Sequence, residues 1–325
     1  MRKKIDWENQ LGRRLKLRDL HVFFAVAARG SMAKAAAQLE VTAPTVSEVI
    51  GDLEHALGVK LFDRSPQGVE TTIYGKALLR RGLVAFDELK QGIRDIEFLA
   101  DPTVGELRIG CTESISAATL PMIIDRFSKQ YPGVVLDVED IDFRSFLPKL
   151  RDRTFDLVLT RRGLPDADRE PVHDLNIEIL FDDELGVAAG MHTRWARRRK
   201  IDLAELVNER WILSAPGTWN YGVLAEAFRA RGLDMPSLSV KTLSVHLRTN
   251  LLATGQFVTA FPRSVLHLYA DRFLLKALPL DLPVRPWPVR LLTLKDRTLS
   301  PLVERFIECS RDVAKSIGDR KPGVA

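Results

Sequence analysis

The chain holds 325 residues, 46% of them hydrophobic and 28% charged, with a formal net charge of +5. That length exceeds one small core and predicts two to three domains of ordinary globular composition, while no run approaches the ~20 consecutive apolar residues of a membrane span. The positive balance permits a nucleic-acid partner without demanding one, because residues 1–75 carry eleven Lys/Arg against nine Asp/Glu and basicity alone reports non-specific attraction.

After a polar lead-in, Leu17, Leu20, Phe23, Phe24, Val26 and Ala27 recur at helical spacing, and Gly30 follows as a C′ residue. Ser31 can cap the next helix, where Ala35, Ala36 and Leu39 form a small-residue face that admits a neighbouring helix. Thr42 can cap the third, with Pro44 in its first turn, where a missing N–H costs little. Val46, Ile50, Leu53 and Leu57 then fall at i, i+4, i+7 and i+11, a core-facing stripe. Gly58 ends that helix, and LFDR, SPQG and VETT follow as strand, turn and strand. This is the element order of a winged helix-turn-helix, in which the N-terminal face of the third helix enters the major groove. Ser31, Thr42, Ala43, Pro44, Thr45, Ser47 and Glu48 are the candidate DNA contacts on the helices. Arg64 at the wing base offers a fork of donors to phosphate oxygens. Periodicity alone fits equally a three-helix bundle with a hairpin and no DNA role.

The run from residue 17 to 64, continuing to TTIYG, resembles the N-terminal domain of the LysR-type transcriptional regulators. The resemblance is carried by Phe23, Gly30-Ser31, Ala35-Ala36, Leu39, the Pro44/Val46/Ser47 cluster, Leu53-Glu54, Leu57-Gly58 and Leu61-Phe62-x-Arg64. It implies a DNA-binding domain over residues 15–75 that reads promoter or operator duplex. Many family members carry Gln where this chain has Ala43 and a basic residue where it has Glu48, so both positions here lack donors for bases or phosphates.

From residue 73 to 99 there is no proline, and Thr72 can cap the start. Leu79, Gly82, Phe86, Leu89, Ile93 and Ile96 follow spacings of 3, 4, 3, 4 and 3, an a/d-like seam interrupted by Gly82. The seam can pack on the chain's own domain or on a second chain. The resemblance implies the second, since the long linker helix of the family pairs two protomers, and it implies a homotetramer overall. Residues 100–105, with Pro102 and Gly105, look like a hinge. Two readers paired across a dyad would meet half-sites about one helical turn apart, or a multiple of it.

Beyond residue 106 short strands alternate with helices. GELRIGC, VVLDVE and FDLVLT read as strands separated by helices at 117–131 and 146–153, a βαβαβ set that calls for a parallel sheet. IEILF, ELGVAAG, WIL, LSVKTL and FVTAF read as strands of a second set, with helices at 203–206, 221–231 and 247–253. VRLLTL and the helix at 301–316 can complete the first lobe. The expected bounds are 106–176 with 283–318 for one lobe and 177–282 for the other. The fold class expected overall is multidomain α+β and α/β: a winged helix-turn-helix, a long linker helix and a two-lobed domain that the resemblance likens to periplasmic binding proteins. Ligands of such sheets lie at strand C-terminal ends, near helix N-termini. Thr112 and Ser114 follow the first strand, and Arg161 closes the third, where it could meet a carboxylate bidentately. Ser114 and Arg161 also match family positions that touch the effector. Ser214 and Thr218 offer hydroxyls from the other lobe. Phe143 completes the candidate effector set, at a position where aromatic-acid-responsive relatives carry a hydroxyl residue.

No GxSxG, HExxH, GxxxxGK[ST] or CxxC occurs, and the six histidines lack metal-ligand spacing; neither catalysis, nor a metal, nor a cofactor is expected. Cys111 and Cys309 make no disulfide framework and fit a reducing compartment. Both sit on apolar elements, which favours inert buried thiols over redox sensors. The segment MRKKIDWENQLGRR lacks an apolar h-region, so a cytoplasmic protein without a membrane partner is expected. The run Arg197-Arg198-Arg199-Lys200 reads as a solvated loop. The expected partners are double-stranded DNA, a small-molecule effector and further copies of the chain. The alternative is a cytoplasmic solute-binding protein with no DNA role.

Overall fold

A computed structural model of the chain describes residues 15–65, 68–101, 103–141, 146–161, 172–269 and 273–318. They fall into two compact units, one ending at Gln91 and one starting at Gly92.

The first unit opens with α1 (Leu17–Arg29), closed by Gly30 at φ +60°. A left-handed backbone there suits glycine, which has no Cβ to clash. Next come α2 (Met32–Gln38), capped by the Ser31 hydroxyl, and α3 (Ala43–Leu57), capped by Thr42. Phe23, Val26, Ala35, Val46 and Ile50 are wholly buried between the three helices, with Leu53 and Leu61 nearly so. The strands β1 (Phe62–Ser65) and β2 (Gly68–Thr71) form the antiparallel wing. The Val69 N–H donates to the Gly30 carbonyl at 2.9 Å, which ties the wing back to the end of α1.

Glu54 organises the turn into the wing. Its carboxylate, buried among apolar side chains, accepts the Leu61 N–H at 2.8 Å, the Phe62 N–H at 3.3 Å and the Lys60 ammonium at 2.6 Å. Burial opposes its ionisation, but the Lys60 ammonium and the two backbone donors outweigh it and hold the carboxyl below its usual range.

The long helix α4 (Ile73–Ala100) leaves the wing directly. The Thr72 hydroxyl accepts the Gly75 N–H at 3.0 Å and donates to the Lys60 carbonyl at 2.7 Å. Two glycines let α4 approach closely: a Cβ on Gly75 would lie 2.2 Å from the Leu61 carbonyl oxygen, and one on Gly82 2.5 Å from the Phe24 ring. Phe86 stacks edge-on against Phe24 at 5.1 Å. The seam expected along this helix is therefore divided: Leu79, Gly82 and Phe86 pack on the first unit's own core, whereas Leu89, Ile93 and Ile96 stand exposed.

The second unit runs β3 (Val104–Cys111), α5 (Glu113–Ser116), α6 (Thr119–Gln130), β4 (Gly133–Asp140), α7 (Phe146–Arg151), β5 (Leu157–Thr160) and β6 (Leu175–Asp183). Then follow β7 (Leu185–Gly190), two 3-10 turns, β8 (Trp211–Leu213), α8 (Trp219–Ala230), β9 (Leu238–Lys241), α9 (Val245–Ala253) and β10 (Val258–Pro262). It closes with α10 (Arg263–Tyr269), β11 (Leu275–Ala277), β12 (Trp287–Leu294) and α11 (Pro301–Gly318). Two five-stranded sheets result, ordered β4-β3-β5-β12-β6 and β11-β7-β10-β8-β9. Strands β3, β4 and β5 are parallel, as the βαβαβ pattern requires, and β12 enters antiparallel between β5 and β6. Each sheet is faced by helices over its own core, centred on Ile109, Phe127, Leu159 and Phe306 in the first lobe and on Trp211, Leu224, Phe228 and Ala260 in the second.

One expectation is corrected. The strand containing IEILF, assigned to the second lobe from residue 177, is β6 of the first sheet, paired with β12 from Trp287↔Asp183 to Leu294↔Leu175. Its Phe181 is buried in the first core, so the chain crosses between lobes at residues 183–185 instead. The helix expected at 117–131 is α6, from Thr119 to Gln130, and the short α5 precedes it, separated by Ala117 and Ala118.

That crossover is held by a buried ion pair. Arg161, 2% exposed, donates through Nη1 to the Asp183 carboxylate, and its Nη2 donates to the Ser264 hydroxyl at 2.9 Å. Asp183 also accepts the N–H groups of Glu184 at 3.0 Å and Ser264 at 3.3 Å.

Removing one partner of such a pair strands the other charge in the interior. Asp183→Ala should cost about 3–5 kcal/mol in urea unfolding, and most of that loss should be recovered when Arg161→Met is added. Glu54→Gln should cost about 1–3 kcal/mol by the same measurement. Because the folded Glu54 carboxyl ionises below its ordinary value, its contribution is complete above roughly pH 4.3 and is lost as the pH falls through the folded value. The stability gap between wild type and Glu54→Gln should therefore narrow in acid.

Candidate nucleic-acid interface and ligand cleft

The N-terminal face of α3 meets the wing on one surface. Ala43, Pro44 and Glu48 are exposed and Thr45 and Ser47 half-buried, while Val46 between them is wholly buried. This split follows from helical geometry, since only every third or fourth residue can face the core. The Thr42 hydroxyl accepts the Thr45 N–H at 3.4 Å and lies 2.8 Å from the Thr45 hydroxyl. Exposed Arg64 donates from Nη1 to the Ser47 hydroxyl at 3.2 Å, so a wing cation and a helix hydroxyl, 17 residues apart, share one site. Ser31 is engaged as the cap of α2, accepting the Lys34 N–H at 3.4 Å. Sequence reasoning passed over Arg18 and His21, which with Thr45 and Val49 line a groove of about 270 Å³ between α1 and α3. It also passed over Arg29, whose Nε donates to Gln38 at 2.7 Å on the exposed surface. The only signal was the charge of Arg18 and Arg29 near the two ends of α1, and nothing in the sequence marked His21.

In the second unit Thr112, Ser114 and Arg161 converge at the C-terminal ends of β3 and β5, where α5 begins. The Thr112 hydroxyl oxygen is buried without a hydrogen-bond partner among the described residues. Ser114 accepts from Arg161 Nε at 3.4 Å. The fork expected to meet an incoming carboxylate already holds one, that of Asp183, and burial with that pairing leaves Arg161 shut from solvent. In the other lobe Ser214 and Thr218 join each other at 2.6 Å, with Thr218 donating to the Ala215 carbonyl at 2.6 Å. No hydrogen bond among the described residues links either of them to Ser114 or Arg161. Phe143 lies outside the described residues.

The lobes meet instead through residues that no motif announced. Ser264 at the start of α10 takes the Arg161 bond already described, and the Glu113 carboxylate accepts the N–H of Val245 at the start of α9. Arg248, 1% exposed, donates to the Ala260 carbonyl at 3.1 Å and the Leu243 carbonyl at 3.4 Å and lies 4.4 Å over the Phe261 ring. Burial pushes its guanidinium down to about 10, against the pull of Glu113.

Both cysteines are enclosed. Cys111 is wholly buried, its Sγ donates to Asp140 at 3.6 Å, and burial with the Asp140 charge pushes the thiol up to about 12. Burial also raises Cys309, whose Sγ donates to the Ile123 carbonyl at 3.8 Å. Residues 197–200 are exposed, with Arg198 paired to Glu205 at 2.9 Å. Among the described residues no group of three or more His, Cys, Asp or Glu could hold a metal, and no helix is long and apolar enough to cross a membrane.

Two family models match the chain: the bacterial regulatory helix-turn-helix protein of the lysR family over residues 17–76, and the LysR substrate binding domain over residues 100–315. The HTH-type transcriptional regulator TdcA of Escherichia coli is 29% identical over 247 residues, covering 76% of this chain and 77% of TdcA. A full-length OxyR variant from Pseudomonas aeruginosa shares the fold at a TM-score of 0.61 and 22% identity, over 93% of this chain and 95% of that one. CbnR, a LysR family regulator solved with its target DNA, matches at a TM-score of 0.53 and 22% identity, over 92% of this chain and all of that one. A reading head with an exposed polar helix face, a long helix and a two-lobed ligand-binding unit thus stand in the order and over the extents that the family models require: the chain belongs to the LysR family of DNA-binding transcriptional regulators.

Proposed function

We propose that this regulator reads its operator through the face formed by Thr42, Ala43, Pro44, Thr45, Ser47, Glu48 and Arg64. The observation that carries this is the Arg64–Ser47 hydrogen bond, which holds a phosphate-binding fork beside the first turns of α3. Thr45 and Ser47 supply hydroxyls for base edges, Pro44 and Ala43 supply apolar contact, and Arg64 neutralises a backbone phosphate. Exposed Glu48 repels phosphates and so restricts how the helix can seat. CbnR, which binds its target DNA, supports the same use of the reading head here. A solute-binding protein without a DNA role is not favoured, since residues 17–76 match a regulatory helix-turn-helix family.

Dimerisation through the distal half of α4 belongs to the same proposal. Leu89, Ile93, Ile96 and Leu99 are 49%, 58%, 68% and 71% exposed and repeat at spacings of 4, 3 and 3. One such stripe on a single helix is a seam without its partner. The two-lobed unit then binds a small molecule near Thr112 and Ser114, which acts by preferring one lobe arrangement over another. It does so as a cytoplasmic, non-catalytic protein in a homotetramer.

Operator titration decides the reading. Wild type should bind one promoter fragment over random DNA, with an affinity that falls steeply with salt. Arg64→Ala should weaken binding and reduce the slope of log K against log[salt] by about 0.9, the loss of one phosphate contact; an unchanged slope would refute the wing role. Ile93→Glu with Ile96→Glu should shift the particle to a smaller mass in sedimentation equilibrium and lower operator affinity together.

A further inference from the structure

We propose that the N-terminus of α9 and the buried guanidinium of Arg248 form a binding site for a small organic carboxylate, and that Glu113 occupies this site as an internal stand-in. The proposal rests on the ligand-responsive reading of the two-lobed unit, and it names the ligand class and the group that the ligand must displace.

The first turn of α9 exposes backbone donors, and a helix N-terminus favours anions because its unpaired N–H groups and the macrodipole both point there. Ser244 satisfies the Leu247 N–H at 3.1 Å, but the Val245 N–H goes to Glu113, 132 residues away on the other lobe. Arg248 lies one turn further along the same helix. It is 1% exposed, its hydrogen bonds run to the neutral carbonyls of Ala260 and Leu243, and its Nε has no hydrogen-bond partner among the described residues. A guanidinium so deeply placed, with no carboxylate bonded to it, lacks the counter-ion that burial of a charge ordinarily requires. The charge that acts on it is that of Glu113.

Glu113 is a poor permanent occupant. Burial outweighs the Val245 N–H and Arg248 and pushes its carboxyl above the usual range, and the Asp140 charge adds to that rise. A diffusing carboxylate can take the Val245 N–H and the attraction of the Arg248 charge without being tethered beside Asp140 on the first lobe. Val245 and Arg248 belong to the second lobe and Glu113 to the first, so the exchange also removes a contact between lobes. Ligand binding is thereby linked to lobe arrangement through one hydrogen bond.

The test uses the full chain and thermal-shift titrations with sodium acetate, benzoate and citrate, each against sodium chloride at matched ionic strength. Glu113→Gln keeps an acceptor for the Val245 N–H and removes the charge. Its midpoint should rise with at least one carboxylate at a concentration at least about tenfold lower than wild type needs. Adding Val245→Pro, which deletes the N–H at a helix position that accepts proline, should abolish the gain, and so should adding Arg248→Met. Equal responses in wild type and Glu113→Gln, or a chloride response matching the carboxylates, would overturn the site. So would a gain that survives loss of the Val245 N–H. Should either double variant fail to fold by circular dichroism, calorimetric titration of Glu113→Gln stands alone, and absence of saturable uptake at about 50 mM carboxylate overturns the site. Operator affinity is read separately: saturable carboxylate binding with unchanged operator affinity would refute the ligand-responsive reading rather than the site.

Discussion

One guanidinium sealed from water governs the ligand-binding unit. Arg161 directly follows β5, Asp183 ends β6, and Ser264 lies in the first turn of α10, so the pair ties the ends of two strands of the first sheet to the second lobe at the place where the chain crosses between them. Neither charge can be left alone in such an interior, and the pair is weak evidence for net stability because desolvation offsets most of its attraction. Its effect is geometric: a bonded, buried fork admits few arrangements of its neighbours. The Glu113–Val245 contact, by contrast, joins the lobes through a half-buried carboxylate and a single N–H. Of these two polar links, the second constrains the lobes less than the first.

The reading head depends on close approach more than on charge. Glycines at 75 and 82 bring α4 against Leu61 and Phe24 at distances no side chain allows, and Glu54 fixes the entry into the wing by meeting three donors at once. The polar surface is laid over this scaffold. Its donors come from Thr45, Ser47 and Arg64, because Ala43 and Glu48 offer none.

The reading head was legible because its cues are local. Caps at Ser31, Thr42 and Thr72, glycine stops at 30 and 58 and the stripe Val46, Ile50, Leu53 each act within one turn of helix, and all are present. The division of α4 was not legible, since a 3,4 spacing does not say which partner fills each part, and Gly82 read as an interruption when it is the contact with Phe24. The lobe of β6 was misplaced for a related reason. An apolar strand does not name its neighbour, and the pairing with β12 spans more than a hundred residues. In the second unit, strand-end spacing places Thr112 and Ser114 just after β3, but the partners of Arg161 and Glu113 arise from contacts across the two lobes, which no spacing records.

Cys111 carries a consequence of a different kind. A thiol wholly enclosed and pushed up to about 12 by burial and the Asp140 charge holds little thiolate at neutral pH, and the thiolate is the nucleophile. Maleimides and disulfide reagents would thus pass over it, and Cys309 is shielded in the same manner. Without any cysteine removed, a thiol introduced on the surface of either lobe would be the group that a fluorescent or spin label finds, so distances between the lobes can be followed in the otherwise native chain.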